Sequence, residues 1–134
     1  PGKLVIKGIM DPEDARQAVA LGADALVVSN HGGRQLDGGC STISALPGVV
    51  EAVQGRCEVL FDGGVRSGQD ILRSMALGAR AAITGRAFLY GLGALGREGV
   101  TTALQIMSRE LQVTLALTGC NDVRDAGRSL LMEQ

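Results

Sequence analysis

Apolar residues cluster in four short runs: Leu4-Val5-Ile6, Ala25-Leu26-Val27-Val28, Val59-Leu60-Phe61 and Ala81-Ala82-Ile83. These runs do not alternate with polar positions, which predicts parallel strands covered on both faces. Between them the spacing turns helical. Asp11-Pro12-Glu13-Asp14 supplies an N-cap Asp, Pro at the first helical position and acids in the first turn. Ala15, Ala18, Val19 and Leu21 follow on one face, and Gly22 ends that helix. Ser41 to Val53 forms a second helix, interrupted by Pro47-Gly48, and Ser67 to Leu77 a third, stopped by Gly78. From Ala87 the pattern changes. Gly91, Gly93, Gly96 and Gly99 predict a loop, and Val100 to Leu117 then reads as a helix with Leu104, Met107, Leu111 and Leu115 along one stripe. Gly119 suits the position just past its end, and Asn121 to Asp125 starts one more short helix.

Strand and helix alternating at this pace define an α/β protein with a parallel sheet. An internal repeat sharpens the prediction. A shift of 56 positions brings Gly8 onto Gly64, Asp14 onto Asp70, Ala20-Leu21-Gly22-Ala23 onto Ala76-Leu77-Gly78-Ala79, and Ala25 onto Ala81. Repeated β/α units build a TIM (β/α)8 barrel, so four of them predict half of one, with residues 1–134 a single partial domain. A doubly wound open sheet is the rival, because periodicity does not separate the two.

Composition narrows the function classes. The 134 residues carry 13 Lys and Arg against 14 Asp and Glu, so the chain lacks the basic footprint of a nucleic-acid or anionic-membrane binder. No run of about 18 apolar residues predicts a membrane span. Three cysteines, none in a C-x-x-C pair, argue against a disulfide framework or a metal site. Reduced thiols in a cytoplasmic protein are expected. Twenty glycines and 2% aromatics suit β/α turns and small-residue packing. Pro1-Gly2-Lys3 offers neither an initiator Met nor the apolar stretch of a signal peptide, and reads as the middle of a longer chain.

Candidate chemistry follows the strands, where a β/α fold places its active site. Lys7-Gly8 follows the first, Ser29-Asn30-His31-Gly32-Gly33-Arg34-Gln35-Leu36-Asp37 the second, Asp62-Gly63-Gly64-Val65-Arg66-Ser67-Gly68 the third and Gly85-Arg86 the fourth. The last two loops read as a phosphate site. Their glycines let backbone N–H groups approach an anion, Arg66 and Arg86 add charge, and the helix opening near Ser67 adds its dipole. A lone histidine is more often structural than catalytic, but His31 lies beyond a strand end with Arg34 three residues on. Such a pair suits a substrate with a removable proton and a carboxylate, for example a 2-hydroxy acid. Lys7, on the same rim, is placed to stabilise negative charge on a ligand.

Residues Ser29 to Asp37 resemble the active-site signature of the FMN-dependent α-hydroxy acid oxidases and dehydrogenases. The resemblance extends through Val5-Ile6-Lys7-Gly8, Asp62-Gly63-Gly64-Val65-Arg66, Leu77-Gly78-Ala79 and Gly85-Arg86. It implies a TIM barrel with FMN at its C-terminal mouth and oxidation of an L-2-hydroxy acid, such as lactate or glycolate, to the 2-oxo acid. By the match, His31 is similar to the family's base and Arg34 to the residue holding the substrate carboxylate. Lys7 resembles the lysine beside flavin N1 and O2, and Ser29 a flavin-ring contact. Asp62, Gly63, Gly64, Val65 and Arg66, with Gly85 and Arg86, resemble the ribityl and phosphate site. No role falls to Gln35-Leu36-Asp37.

A full barrel domain needs about 250 residues, and this chain resembles only its last four strands. The family's first four strands, its substrate tyrosines and the Asp that orients the active-site His have no counterpart in it. A half barrel also exposes two sheet edges and apolar strand surface. Pairing with the missing half, self-association, and a homo-oligomer like the family's are therefore expected, with peripheral membrane association of the parent enzyme left open. Two alternatives stand beside the enzyme. One is an inactive remnant or half-barrel module that at most binds a phosphate-bearing ligand. The other is a non-redox barrel enzyme such as an isomerase, against which the His31–Arg34 signature argues.

Overall fold

The structure, a computed structural model, describes residues 2–132. Its elements run β1 (Val5–Ile9), α1 (Pro12–Ala20), β2 (Ala25–Val28), α2 (Thr42–Val53), β3 (Glu58–Asp62), α3 (Gly68–Ala76), β4 (Ala81–Ile83) and α4 (Arg86–Thr118). Short 3-10 turns lie at His31–Gly33, Val123–Asp125 and Arg128–Leu130.

The four strands pair in parallel, and their order in space is their order in the chain. Successive crossovers of one hand in one direction put their helices on one face of the sheet. A doubly wound sheet reverses its strand order and so covers both faces. That rival is excluded for the described strands, and the arrangement is that of part of a TIM barrel.

One-sided cover decides where the core sits. Register stacks Ile6, Leu26 and Val59 in one row and Val28, Phe61 and Ala82 in the next. These side chains join Ala15, Ala18, Leu46, Val49, Val53 and Met107 from the helices in one cluster. Each fully buried Leu or Val there stabilises by about 1.5–3 kcal/mol. The opposite face carries Val5, Ala25, Val27, Leu60, Ala81 and Ile83, none of which belongs to that cluster. The expectation of strands covered on both faces therefore holds only for β2. Val5 and Ile83 are 48% and 37% exposed. The runs look continuous in sequence because both faces are apolar, although outside β2 only one is well covered.

The helix starts follow the sequence closely. Asp11 caps α1 through the Glu13 and Asp14 N–H groups, Ser41 caps α2, and Ser67 with Asp70 forms a reciprocal capping box on α3. Four expectations are corrected. Leu21 is 83% exposed rather than on the buried face, because it lies six positions past Ala15 and only caps the helix end. Pro47-Gly48 does not interrupt α2, which is continuous. Gly48 is instead where α1 touches it, since a Cβ there would lie 3.2 Å from Pro12 Cγ.

The largest correction concerns residues 87–99, which are helical and not a loop. The break is confined to Leu95 and Gly96, where φ swings to −139° and +57°. Gly91 and Gly99 let the two limbs touch backbone to backbone: a Cβ on Gly99 would lie 1.9 Å from the Gly91 carbonyl oxygen. Finally, the stripe on α4 is only partly core. Met107 is buried, Leu111 and Leu115 are half-buried, and Leu104 is exposed.

Candidate active site

The strand ends that carry the polar residues converge on one rim. Strand parity aligns them. Register sets Lys7 beside Val27 and Leu60 on the uncovered face, and two residues further along the same face come Ser29 and Asp62. The three side chains close a triangle. Lys7 Nζ lies 2.6 Å from Asp62 Oδ2 and donates to Ser29 Oγ at 2.8 Å, while the Ser29 hydroxyl donates to Asp62 Oδ2 at 2.7 Å. The His31 N–H also points to Ser29 Oγ, at 3.2 Å. Ser29 is only 1% exposed and fully engaged, so it works from beneath the site. Burial acts to raise the Asp62 pKa, but hydrogen bonds from Lys7 and Ser29, the Lys7 charge and the Gly63 N–H outweigh it. The carboxyl is held below its usual range.

His31 occupies a strained position. Its φ is +55°, in the left-handed region that non-glycine residues rarely adopt, and Gly32 and Gly33 follow at +71° and +73°. The turn is closed by the Gly33 N–H donating to the Asn30 carbonyl at 3.0 Å. Arg86 Nη2 donates to the Gly32 carbonyl at 2.9 Å from across the rim. Gly8 makes room for the imidazole, since a Cβ there would lie 3.0 Å from His31 Nε2. Asn30 Nδ2 donates to the Cys40 carbonyl at 3.3 Å and so ties down the far end of the exposed loop that bears Arg34.

A cavity of about 360 Å³ opens over these residues. Its lining includes Lys7, His31, Arg34, Asp62, Gly63, Gly64, Val65, Arg66, Gly85 and Arg86. The structure thus gathers every site residue expected from sequence, with Ser29 just below. Gln35, Ile83, Ala87 and Leu89 also line it.

Two supporting threonines carry no signal in the sequence. Thr42 Oγ1 donates to the Gly63 carbonyl at 3.1 Å, and Thr84 Oγ1 to the Val65 carbonyl at 3.1 Å, pinning the loop after β3 from both sides. Neither threonine belongs to a recognisable signature, although Thr84 directly precedes Gly85-Arg86.

The anion end differs from expectation in one respect. The α3 N-terminus is largely engaged: Asp70 accepts from the Arg66 and Ser67 N–H groups, and Glu110 from the Gly68 N–H at 2.9 Å. Two carboxylates there oppose a second anion. The open helix start is that of α4, where Gly85 is the N-cap and no side chain caps it. One end of the cavity thus offers Arg66, Arg86 and unclaimed N–H groups to an anion. The other offers an ammonium, an imidazole and a guanidinium. Among the described residues, no group of three or more His, Cys, Asp or Glu is placed to hold a metal ion. No helix there is long and apolar enough to cross a membrane.

Comparison with known proteins agrees. The family model described as FMN-dependent dehydrogenase matches residues 1–133. The L-lactate dehydrogenase of Caulobacter vibrioides (strain NA1000 / CB15N) is 53% identical over 133 residues, covering 99% of this chain and 35% of that protein. The L-lactate dehydrogenase of Stenotrophomonas maltophilia (strain K279a) is 52% identical over 131 residues, covering 98% of this chain and again 35% of the relative. The chain spans about a third of the length of the curated relatives it matches. Among solved structures, mandelate oxidase with benzoyl-formic acid superposes with a TM-score of 0.90 at 49% identity, covering 94% of this chain and 38% of that one. A mandelate oxidase mutant with a monooxide FMN adduct gives the same TM-score and identity, covering 94% and 40%. With sequence and backbone agreeing along nearly the whole chain, the chain belongs to the FMN-dependent dehydrogenase family.

Proposed function

We propose that this chain carries the cofactor-cradling and proton-accepting part of an FMN-dependent enzyme that oxidises an L-2-hydroxy acid to the 2-oxo acid. One observation carries the reading: a single cavity unites His31, Arg34 and Lys7 with both glycine–arginine loops. The residues fit FMN. At Gly64 and Gly85 a Cβ would meet nothing within 4 Å, so the backbone lies open to a ligand there. The uncapped α4 start, with Arg66 and Arg86 nearby, suits a phosphate. When bound, FMN supplies the acceptor for the two electrons that leave the substrate.

The chain's own side chains supply the rest. The imidazole of His31 takes a proton from the substrate. The Arg34 guanidinium holds the substrate carboxylate by paired hydrogen bonds. Lys7 sets positive charge at the ring end of the cavity, and Asp62 with Ser29 fixes the direction of its ammonium. Asp62 to Arg66, Gly85 and Arg86 hold the ribityl chain and phosphate.

The uncovered apolar face, with Val5 and Ile83 exposed at the two edge strands, supports a further requirement. Full activity needs additional strands over that face, supplied by the rest of a barrel or by self-association. Three free cysteines support a reducing, cytoplasmic setting.

The test uses the purified chain, with and without a separately expressed segment carrying the remaining strands. FMN uptake is followed by flavin fluorescence, and an L-2-hydroxy acid is then added without oxygen. Bleaching of the flavin is the expected result, and His31→Ala should keep the colour while bleaching stops. A protein that never takes up FMN in either state overturns the reading. Normal bleaching in His31→Ala overturns the assignment of the base.

A further inference from the structure

Arg86 stands between the two ends of the cavity. It is the first residue of α4 and shares the cavity wall with Gly63, Gly64 and Arg66. Its Nη2 nevertheless donates to the Gly32 carbonyl at 2.9 Å, across 54 positions of sequence. Gly32 itself is fitted to that contact, since a Cβ there would lie 3.2 Å from Nη2.

The contact falls on the strained part of the site. A left-handed residue with a bulky side chain persists only where its surroundings over-determine it. Two of the bonds holding the His31–Gly33 turn are local, namely His31 N–H to Ser29 Oγ and Gly33 N–H to the Asn30 carbonyl. Arg86 provides a third, from the opposite wall. A guanidinium carries five N–H donors, and only one of them is spent on Gly32.

We infer that Arg86 is a positioning residue that couples anion occupancy of the Gly64–Gly85 cradle to the turn presenting His31. An anion on the free donors orders the guanidinium and so strengthens its hold on Gly32. The formed turn in return pre-orients the guanidinium for the anion, as reciprocal coupling demands. The inference rests on the proposal that the cavity takes FMN, and it adds that the phosphate reaches the proton acceptor through one side chain.

The test compares FMN with riboflavin, which lacks the phosphate, on the full chain. Binding is read by flavin fluorescence, and the turn by hydrogen exchange of the Gly33 amide. In the wild type, FMN should slow Gly33 exchange by about tenfold, the effect of one strengthened hydrogen bond. Riboflavin should leave it nearly unchanged. Arg86→Met should weaken FMN binding and abolish the slowing in whatever FMN still binds. Arg86→Lys, which keeps the charge but lacks the fork, should bind FMN without restoring it. A merely structural arginine would alter Gly33 exchange equally with and without FMN. Slowing that survives in Arg86→Met, or full rescue by Arg86→Lys, overturns the coupling and leaves the cofactor proposal standing. A wild-type chain that takes up neither flavin overturns both.

Discussion

Replacing Asp62 by Asn tests the triangle beneath the site. The carboxylate is 18% exposed, and its partner Lys7 42%. At 2.6 Å and an effective dielectric near 20, the gross attraction is about 6 kcal/mol, most of it offset by desolvation. Asn keeps the shape and an acceptor for Ser29 but loses the charge-assisted bonds. A net loss of about 1–3 kcal/mol is expected. With a urea slope of about 1–3 kcal/mol per molar, the midpoint should fall by about 1 M at pH 7.

The dependence on pH has a definite sign. Asp62 has its pKa lowered in the folded chain, burial being outweighed by Lys7 and Ser29. Its contribution is therefore complete above the ordinary carboxyl value of 3.8 and is lost as pH falls through the lower folded value. The gap between wild type and Asp62→Asn should close as unfolding is repeated from pH 7 towards pH 3 and below. An equal gap throughout that range, or none at pH 7, refutes the electrostatic account.

Two further changes probe backbone features. His31→Gly relieves a positive φ worth about 1–2 kcal/mol, partly cancelled by glycine's extra entropy in the unfolded chain. It should raise the unfolding midpoint slightly while removing the imidazole proposed as proton acceptor, and a clear fall in the midpoint would refute strain at the turn. Gly68→Ala places a Cβ 2.0 Å from the Leu111 nitrogen and should destabilise by about 3 kcal/mol through forced separation of α3 from α4. Wild-type thermal stability in that variant would refute their close approach.

Much of this was legible locally. β2 coincides with its apolar run residue for residue, and Asp11 and Ser67 mark their helices because an N-cap answers to its own next three amides. The site was legible because Ser29 and Asp62 sit at the ends of β2 and β3; Lys7, expected just past the first strand, lies inside β1, which runs on to Ile9, and parallel pairing still brings it beside them. Glycine is the least legible residue in this chain. Gly91 and Gly99 carry the same letter as a turn glycine, yet here they serve contact between two helix limbs. Only the partner across the fold distinguishes those uses. The same holds for Glu110, which claims the Gly68 amide from 42 positions away and closes the α3 start to anions.

The agreement between spatial and chain order of the strands has a kinetic consequence. Each strand pairs only with its neighbours in the chain, across 20 residues from Val5 to Ala25, 33 from Ala25 to Glu58 and 21 from Leu60 to Ala81. Among the described residues, no strand pairing brings the two ends of the sheet together. Because loop-closure entropy grows only slowly with such spans, each β/α unit can dock as soon as it is synthesised. The topology thus permits the sheet to be assembled in the order of translation, each added strand offering a template for the next.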